Sequence, residues 1–341
     1  MTQKPLVVAV AGATGAVGRE MLKTLEQRNF PVARLVALAS KKSAGRTLPW
    51  KGGEVVVSEM GPKSFEGVDI ALFSAGASVS REYAPIAAKS GAVVIDNSSA
   101  WRTDAECPLV VPEVNAHAIA KRPRGIIANP NCSTIQLLVA LDPLHRAAKL
   151  THVIVSTYQA TSGKGHAAVE DLRQQTRAWA KGEAIEPAVF PGQIALNLLC
   201  DWKPATGEGE GYSEEEMKMI FETKKILGDP SIAVSPTCVR VPVENGHSES
   251  VHAKFARAIT VEEARALLTK APGVVLDDRP YAPGHHPQPI HASGKDEVFV
   301  GRIRKDFGDP KALNLWVVGD NLRKGAALNA VQIAELVIKE K

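Results

Sequence analysis

Leu6-Val7-Val8-Ala9-Val10-Ala11 runs directly into Gly12-Ala13-Thr14-Gly15-Ala16-Val17-Gly18, and this junction decides the fold. An unbroken apolar run of that length reads as a strand buried on both faces. The glycines allow a tight turn, close approach of backbone to a pyrophosphate, and close packing of the following helix. The helix N-terminus adds N–H donors and partial positive charge aimed at the same group. With a strand before it and a helix after it, the motif reads as a dinucleotide-binding turn. Gly12, Thr14, Gly15, Ala16, Val17 and Gly18 are its cofactor-facing residues.

Outward from this turn, Arg19–Arg28 reads as a helix ending before Pro31, and Arg34–Ala39 as the second strand. Glu54–Ser58, Ile70–Ser74 and Ala92–Asp96 are further strands, with a helix over Ser80–Lys89 closed by Gly91. Such alternation specifies a Rossmann-type, doubly wound parallel sheet. Ile126–Ala128 and Asn129-Pro130-Asn131 lead into Ser133–Lys149, read as an amphipathic helix. From Thr151 the texture changes. Thr151–Thr157, Ser231–Val241, His247–Ala256, Glu297–Lys305 and Leu313–Val318 are strand-like, with little helix between the later ones, which indicates an α+β domain with a mixed or antiparallel sheet. Lys324–Glu340 is helical again and is expected to pack back on the first domain. The expected division is a dinucleotide-binding domain of residues 1–130 completed by 321–341, and a second domain of 131–320. Pro204–Gly211 reads as a surface loop.

At 341 residues the chain exceeds the ~250 residues at which single cores stop growing. Hydrophobic residues at 45% and charged residues at 23% fit a globular protein, and the net charge of +4 suits small anionic ligands. No Lys/Arg block interleaved with aromatics appears, so nucleic acid is not an expected partner. No stretch nears the ~20 apolar residues of a membrane span, and the run after Lys4 is too short for a signal peptide. Cys107, Cys132, Cys200 and Cys238 are widely spaced without a C-x-x-C pair, which argues for reduced thiols in a cytoplasmic protein rather than disulfides or zinc. His285-His286 lacks further spaced ligands, so no metal is expected.

The end of the second strand reads the adenosine ribose, and an acid there favours NAD. Here the segment is Ser40-Lys41-Lys42-Ser43, two cations and no acid, so NADP is preferred. Cys132 opens the Ser133–Lys149 helix, whose N-terminal field favours a thiolate; Cys107, Cys200 and Cys238 read as buried structural cysteines. His247 follows Arg240-Val-Pro-Val-Glu-Asn-Gly at a strand start, a usual place for a pocket-facing acid/base. His117, His145, His152 and His252 sit in helical or strand patterns as packing or surface residues.

Four ordered motifs then converge: Gly12–Gly18, Asn129-Pro-Asn-Cys132-Ser-Thr-Ile, Gln159-Ala-Thr-Ser162-Gly163, and Arg240 with Gly246-His247-Ser248-Glu249. Together with Gly319-Asp320-Asn321-Leu-Arg-Lys-Gly they resemble the aspartate-β-semialdehyde dehydrogenase family nearly end to end. The resemblance implies a homodimeric, NADP-dependent enzyme with a catalytic and dimerisation domain. Its reaction converts β-aspartyl phosphate to aspartate semialdehyde and phosphate, for lysine, methionine and threonine synthesis. It implies Cys132 as the nucleophile that forms a thioester, His247 as acid/base, and Gln159 as the residue orienting the acyl group. Arg240 matches the carboxylate-binding arginine, Arg102 and Lys218 the phosphate-binding pair, and Glu215 the ammonium partner, with Asn131 also among the substrate-binding residues. Ser162, Gly163 and Asn321 join the cofactor-binding set. Read from the helix alone, Glu215 and Lys218 are an exposed ion pair one turn apart.

The chain departs from the family pattern over Ala195–Trp202, a segment expected to lie clear of the matched catalytic positions. Two alternatives stand beside the main reading. N-acetyl-γ-glutamyl-phosphate reductase shares the fold and thioester chemistry but usually has Gly-Cys-Tyr where this chain has Asn131-Cys132-Ser133. A non-catalytic NADP-binding scaffold has no need of Cys132, Gln159, Arg240 and His247 together.

Overall fold

A computed structural model describes residues 5–200, 202–279 and 284–340; Lys4, Asp201 and Lys341 of the segments named above lie outside them. By internal contacts the chain divides into two units, one running to Pro130 and resuming at Ala326, the other spanning Asn131–Gly325.

In the first unit β1 (Leu6–Ala11) leads through the glycine turn into α1 (Ala16–Gln27), then β2 (Val32–Ala39), β3 (Thr47–Trp50), β4 (Gly53–Glu59) and β5 (Ile70–Phe73). Helix α2 (Ala77–Lys89), β6 (Val93–Asp96), the short α3 (Pro112–Asn115) and β7 (Ile126–Ala128) complete the run. Among the described residues the strand order is β3-β4-β2-β1-β5-β6-β7, parallel except at the β3–β4 edge. β1 has β2 on one side and β5 on the other. The strand order therefore reverses beside the glycine turn, the position at which doubly wound sheets bind ligands.

β4 is the strand read over Glu54–Ser58, but its hairpin partner β3 is absent from the sequence reading. Pro49 is tolerated in β3 because this is an edge strand, where a missing N–H costs no ladder bond. Lys51 and Gly52 both have positive φ, 47° and 74°, the conformation of a tight hairpin turn.

The second unit opens with α4 (Cys132–Ala148) and β8 (Leu150–Gln159), followed by α5 (His166–Lys181), α6 (Glu214–Leu227), β9 (Ala233–Arg240) and β10 (His247–Phe255). Then come α7 (Val261–Thr269), β11 (Val274–Leu276), α8 (Pro289–Ala292), β12 (Val298–Lys305) and β13 (Ala312–Gly319). The sheet order is β11-β12-β13-β10-β8-β9. β8–β9 and β11–β12 pair parallel and the rest antiparallel, the mixed sheet expected. α5 was not foreseen.

The reading of α4 as amphipathic is corrected. Every residue from Ser133 to Asp142 is buried, because the helix packs on β8, β10, β12 and β13 and also against α6 and α7. Burying Ile135, Leu137, Leu138, Val139, Leu141 and Leu144 stabilises by ~1.5–3 kcal/mol for each large side chain. Packing on several sides therefore fixes the axis of the helix that carries Cys132.

The chain returns to the first unit in α9 (Leu328–Lys339). Ala330, Val331, Ile333, Ala334 and Val337 join Val8, Val10, Leu22, Leu25, Ile95 and Ile127 in one core. Arg28 grips Glu335 through two hydrogen bonds of 2.6 and 2.8 Å. Among the described residues no helix is long and apolar enough to cross a membrane.

Candidate active site

Cys132 is the first residue of α4, and the residues before it explain why the helix begins there. Pro130 disfavours helix for its predecessor. Asn131 is extended, and its side-chain Oδ1 accepts from the Ser133 and Thr134 N–H groups at 3.0 and 3.3 Å, an N-cap. Asn131 is held in turn by α6: its backbone N–H donates to Glu222 at 2.6 Å and its amide to Glu215 at 2.7 Å. Behind Cys132 lies Gly325, within a π-turn over Arg323–Ala327. A Cβ there would stand 2.9 Å from the Cys132 Cβ, so only glycine fits.

His247 begins β10. Gly246 before it has φ +91°, and its N–H donates to the Asn321 side chain at 2.9 Å. The His247 Nε2 lies 3.3 Å from the Cys132 Sγ, and its Nδ1 accepts from the Ala160 N–H at 3.0 Å. An N–H pointing at Nδ1 leaves that nitrogen unprotonated, so the neutral ring carries its proton on Nε2, facing sulfur. Complete burial and the nearby Arg240 cation hold the imidazole well below its usual pKa. The pair is thus built as a neutral N–H donor set against a sulfur at a helix N-terminus. Arg240 acts electrostatically on both members, favouring thiolate on one and uncharged imidazole on the other.

Gln159 and Arg240 are the last residues of β8 and β9 and lie side by side in the parallel register. Arg240 Nη1 donates to the Ala160 carbonyl at 2.5 Å, its guanidinium lies 4.4 Å from the Trp202 ring centroid, and burial lowers its pKa. Gln159 is buried and donates to Thr157 at 3.2 Å. Ala160 therefore ties Arg240 and His247 together through one residue's carbonyl and N–H. Gly163 faces the same spot, since a Cβ there would lie 3.0 Å from Arg240 Nη1 and 3.2 Å from His247 Nε2. Ser162 and Asn321 are joined by a 2.9 Å hydrogen bond.

The expectation of an exposed Glu215–Lys218 pair from the helix pattern is corrected. The two do meet at 2.9 Å, but Glu215 is only 7% exposed because it also receives the Asn131 amide. Ala195–Trp202 does not lie clear of the matched positions either. Leu199 pairs with Arg240 by backbone hydrogen bonds of 2.7 and 3.0 Å; Trp202 covers the guanidinium and donates to the Cys238 carbonyl at 2.9 Å. Of the other cysteines, Cys107 and Cys238 are buried, but Cys200 is exposed, the irregular stretch after Leu199 leaving it at the surface. Glu222, Trp202 and Gly325 belong to the site and were missed. The aromatic in the departing segment was the available signal for Trp202. Among the described residues no cluster of three or more His, Cys, Asp or Glu could hold a metal.

In the first unit the glycine turn fits a pyrophosphate. Gly12 has φ +86°, and a Cβ there would lie 2.4 Å from the Ser74 carbonyl oxygen; a Cβ on Gly18 would lie 2.2 Å from that of Gly12. Gly15 is exposed and caps α1 without a side-chain hydrogen bond, and no acid stands in the first turn. Thr14, Ala16 and Val17 are partly exposed along the same turn. After β2, Ser40 opens a 3₁₀ turn over Lys41–Ser43 with both lysines exposed. Arg102 is buried in this unit and donates to the Asn97 carbonyl at 3.1 Å.

Known proteins match both units. Residues 7–122 match the family model described as semialdehyde dehydrogenase, NAD binding domain, and residues 141–324 the one described as semialdehyde dehydrogenase, dimerisation domain. The aspartate-semialdehyde dehydrogenase of Aquifex aeolicus is 55% identical over 336 residues, 98% of each chain. The solved structure of aspartate semialdehyde dehydrogenase II from Vibrio cholerae, complexed with ASA, is 47% identical, with TM-score 0.94 and 99% of each chain covered. The Candida albicans enzyme with NADP is 26% identical, with TM-score 0.76 and 98% of each chain covered. Alike in sequence and in fold along almost its whole length, this chain belongs to the aspartate-semialdehyde dehydrogenase family of oxidoreductases.

Proposed function

We propose that the protein reduces β-aspartyl phosphate to aspartate β-semialdehyde with NADPH, releasing phosphate through a thioester on Cys132. The reaction would serve lysine, methionine and threonine synthesis in the cytoplasm. The observation that carries this reading is the 3.3 Å approach of Cys132 Sγ to a buried His247 N–H at the start of α4.

The Cys132 thiolate attacks the acyl carbon of the mixed anhydride; a C–S bond forms, the C–O bond to phosphorus breaks, and phosphate leaves with the electron pair. The reduced nicotinamide, when bound, supplies a hydride. Cys132 leaves as thiolate when the thiohemiacetal collapses to aldehyde. The His247 N–H and the N-terminus of α4 stabilise the charge on sulfur and on the substrate oxygen, and splitting the reaction avoids one hard step. Arg240, fixed by Ala160 and Trp202, presents its remaining N–H groups to the substrate carboxylate. Glu215 answers the ammonium, Arg102 and Lys218 the phosphate, and Gln159 the acyl oxygen. Asn131 has its amide engaged by α4 and Glu215, so it sets the position of the nucleophile.

For the cofactor, the fitting residues are Gly12, Thr14, Gly15, Ala16, Val17 and Gly18 for the pyrophosphate, and Ser40, Lys41 and Lys42 for a 2′-phosphate. Ser162, Gly163 and Asn321 are the remaining cofactor residues of this reading. The Candida albicans complex with NADP supports this reading, and the Vibrio cholerae complex supports the substrate. The match to a dimerisation model supports a homodimer.

The test is turnover with β-aspartyl phosphate against N-acetyl-γ-glutamyl phosphate, run beside Cys132→Ala. The expected result is activity on the first substrate alone, abolished in the variant with NADPH affinity nearly intact. Preference for the acetylated substrate, or substantial turnover by Cys132→Ala, would overturn the reading.

A further inference from the structure

The contact between Cys132 and His247 is repeated one step deeper in the protein. Gln136 lies four residues after Cys132 on α4, hence on the same helix face. Glu249 lies two residues after His247 on β10, hence on the same sheet face. Both are buried, Gln136 to 1% exposure and Glu249 to 0%. The Gln136 amide lies beside the Glu249 carboxyl and acts on it; it donates to the His247 backbone carbonyl at 3.4 Å, and both carboxyl oxygens are buried without a hydrogen-bond partner. The fold makes room for it: Gly319 sits opposite His247 in the antiparallel register, and a Cβ there would stand 3.0 Å from the amide oxygen.

We propose that Glu249 is a positioning residue that works as an uncharged carboxylic acid, clamping α4 to β10 through Gln136 and so setting the distance between nucleophile and imidazole. This rests on the Cys132–His247 mechanism above. The surroundings of the carboxyl support the uncharged form. Its neighbours on the flanking strands are Thr157 of β8 and Val317 of β13. Cys238 of β9 feels its charge, as it feels those of Glu215 and Glu216 on α6. His247, on its own strand, is neutral. No cation is among the described groups acting on it, and burial raises its pKa well above the usual carboxylate range. The Gln136 amide oxygen is buried without a donor; an acid O–H satisfies such an acceptor and a carboxylate cannot.

The sign of the pH effect follows. The folded protein keeps a proton that the unfolded chain releases in the ordinary carboxylate range. Folded stability therefore declines as pH rises from that range toward the raised folded pKa. Glutamine carries no such proton and removes this slope.

The experiment compares Glu249→Gln, Glu249→Leu and Gln136→Leu with the parent enzyme. Readouts are kcat, KM for semialdehyde and phosphate, and thermal midpoint from about pH 6 to about pH 9. Glu249→Leu and Gln136→Leu should each lower kcat roughly tenfold or more, because small displacements of reacting groups are costly, with both KM values little changed. Glu249→Gln should restore kcat, and its thermal midpoint should gain on the parent's as pH rises. The proposal is overturned if Glu249→Gln is as slow as Glu249→Leu, if Glu249→Leu keeps parental kcat, or if the midpoints of Glu249→Gln and parent run parallel with pH. The midpoint readout needs no turnover and uses Glu249→Gln alone, so it stands even if a leucine variant does not fold. It also separates failure of the clamp from failure of the thioester mechanism, which Cys132→Ala tests on its own.

Discussion

Replacing Arg240 by lysine keeps a positive charge in place and so isolates what the guanidinium geometry contributes. Arginine has five N–H donors. Here Nη1 is engaged by the Ala160 carbonyl, and the flat face lies against Trp202. The remaining donors are available for a carboxylate. A lysine ammonium can hold the backbone or the substrate, but not both with a forked geometry. A charge-assisted hydrogen bond lost is worth ~1.5–3 kcal/mol, and the ring contact adds ~0.5–2 kcal/mol when desolvated. Because some contact is recovered, a loss of about 2–3 kcal/mol is expected, roughly 30- to 150-fold in kcat/KM. It should fall chiefly on KM for the semialdehyde, measured in the oxidative direction with phosphate varied separately. kcat should drop as well, since Ala160 also orients His247. Arg102→Leu and Lys218→Ala should instead raise KM for phosphate. An Arg240→Lys enzyme within about threefold of the parent in kcat/KM, or one impaired mainly toward phosphate, would refute the assignment.

Two further outcomes are expected. Ser40→Asp puts a carboxylate where the 2′-phosphate is expected, so the preference for NADP over NAD should shrink by roughly tenfold or more; equal kcat/KM with both cofactors in the parent would refute the reading of the lysine turn. The neutral His247 predicts that activity shows no ionisation at the ordinary imidazole value of about 6.5. Protonation is resisted in the folded state, so the acid limb should lie below that value, and with it any stability lost as pH falls. A limb at the ordinary value, abolished in His247→Asn, would contradict the geometry.

The parts of the fold that were legible were those where one physical signal dominates. β1 and β5 are apolar on both faces, and the glycine turn announces its own geometry. Among the site residues, Cys132 and His247 stood out because each follows a backbone break. Other features were hidden by competing signals. α5 buries Ala168, Asp171, Leu172 and Gln175, a helical stripe that is half polar. Asp171 accepts from the N–H groups of Ala188, Val189 and Phe190, and Gln175 from those of Ile194 and Ala195. A polar residue buried to anchor a loop's backbone looks like a solvent-facing one in the sequence. Glu215 misled for the same reason, since its burial depends on the Asn131 amide 84 residues away. Glu222, Trp202 and Gly325 act through contacts made only when distant segments meet, which local periodicity does not record.

The return of α9 to the first unit has a consequence for the order in which the chain can mature during synthesis. Domains commonly fold as units, the N-terminal one first as the ribosome releases it. Here the earlier-made unit lacks Ala330, Val331, Ile333, Ala334 and Val337 of its own core until residues 131–325 have been made. Residues 131–325 form a unit with internal contacts of their own. The second unit can therefore consolidate while the first waits with an open hydrophobic face. Nascent chains stalled before residue 326 should be the ones that chaperones hold and proteases find.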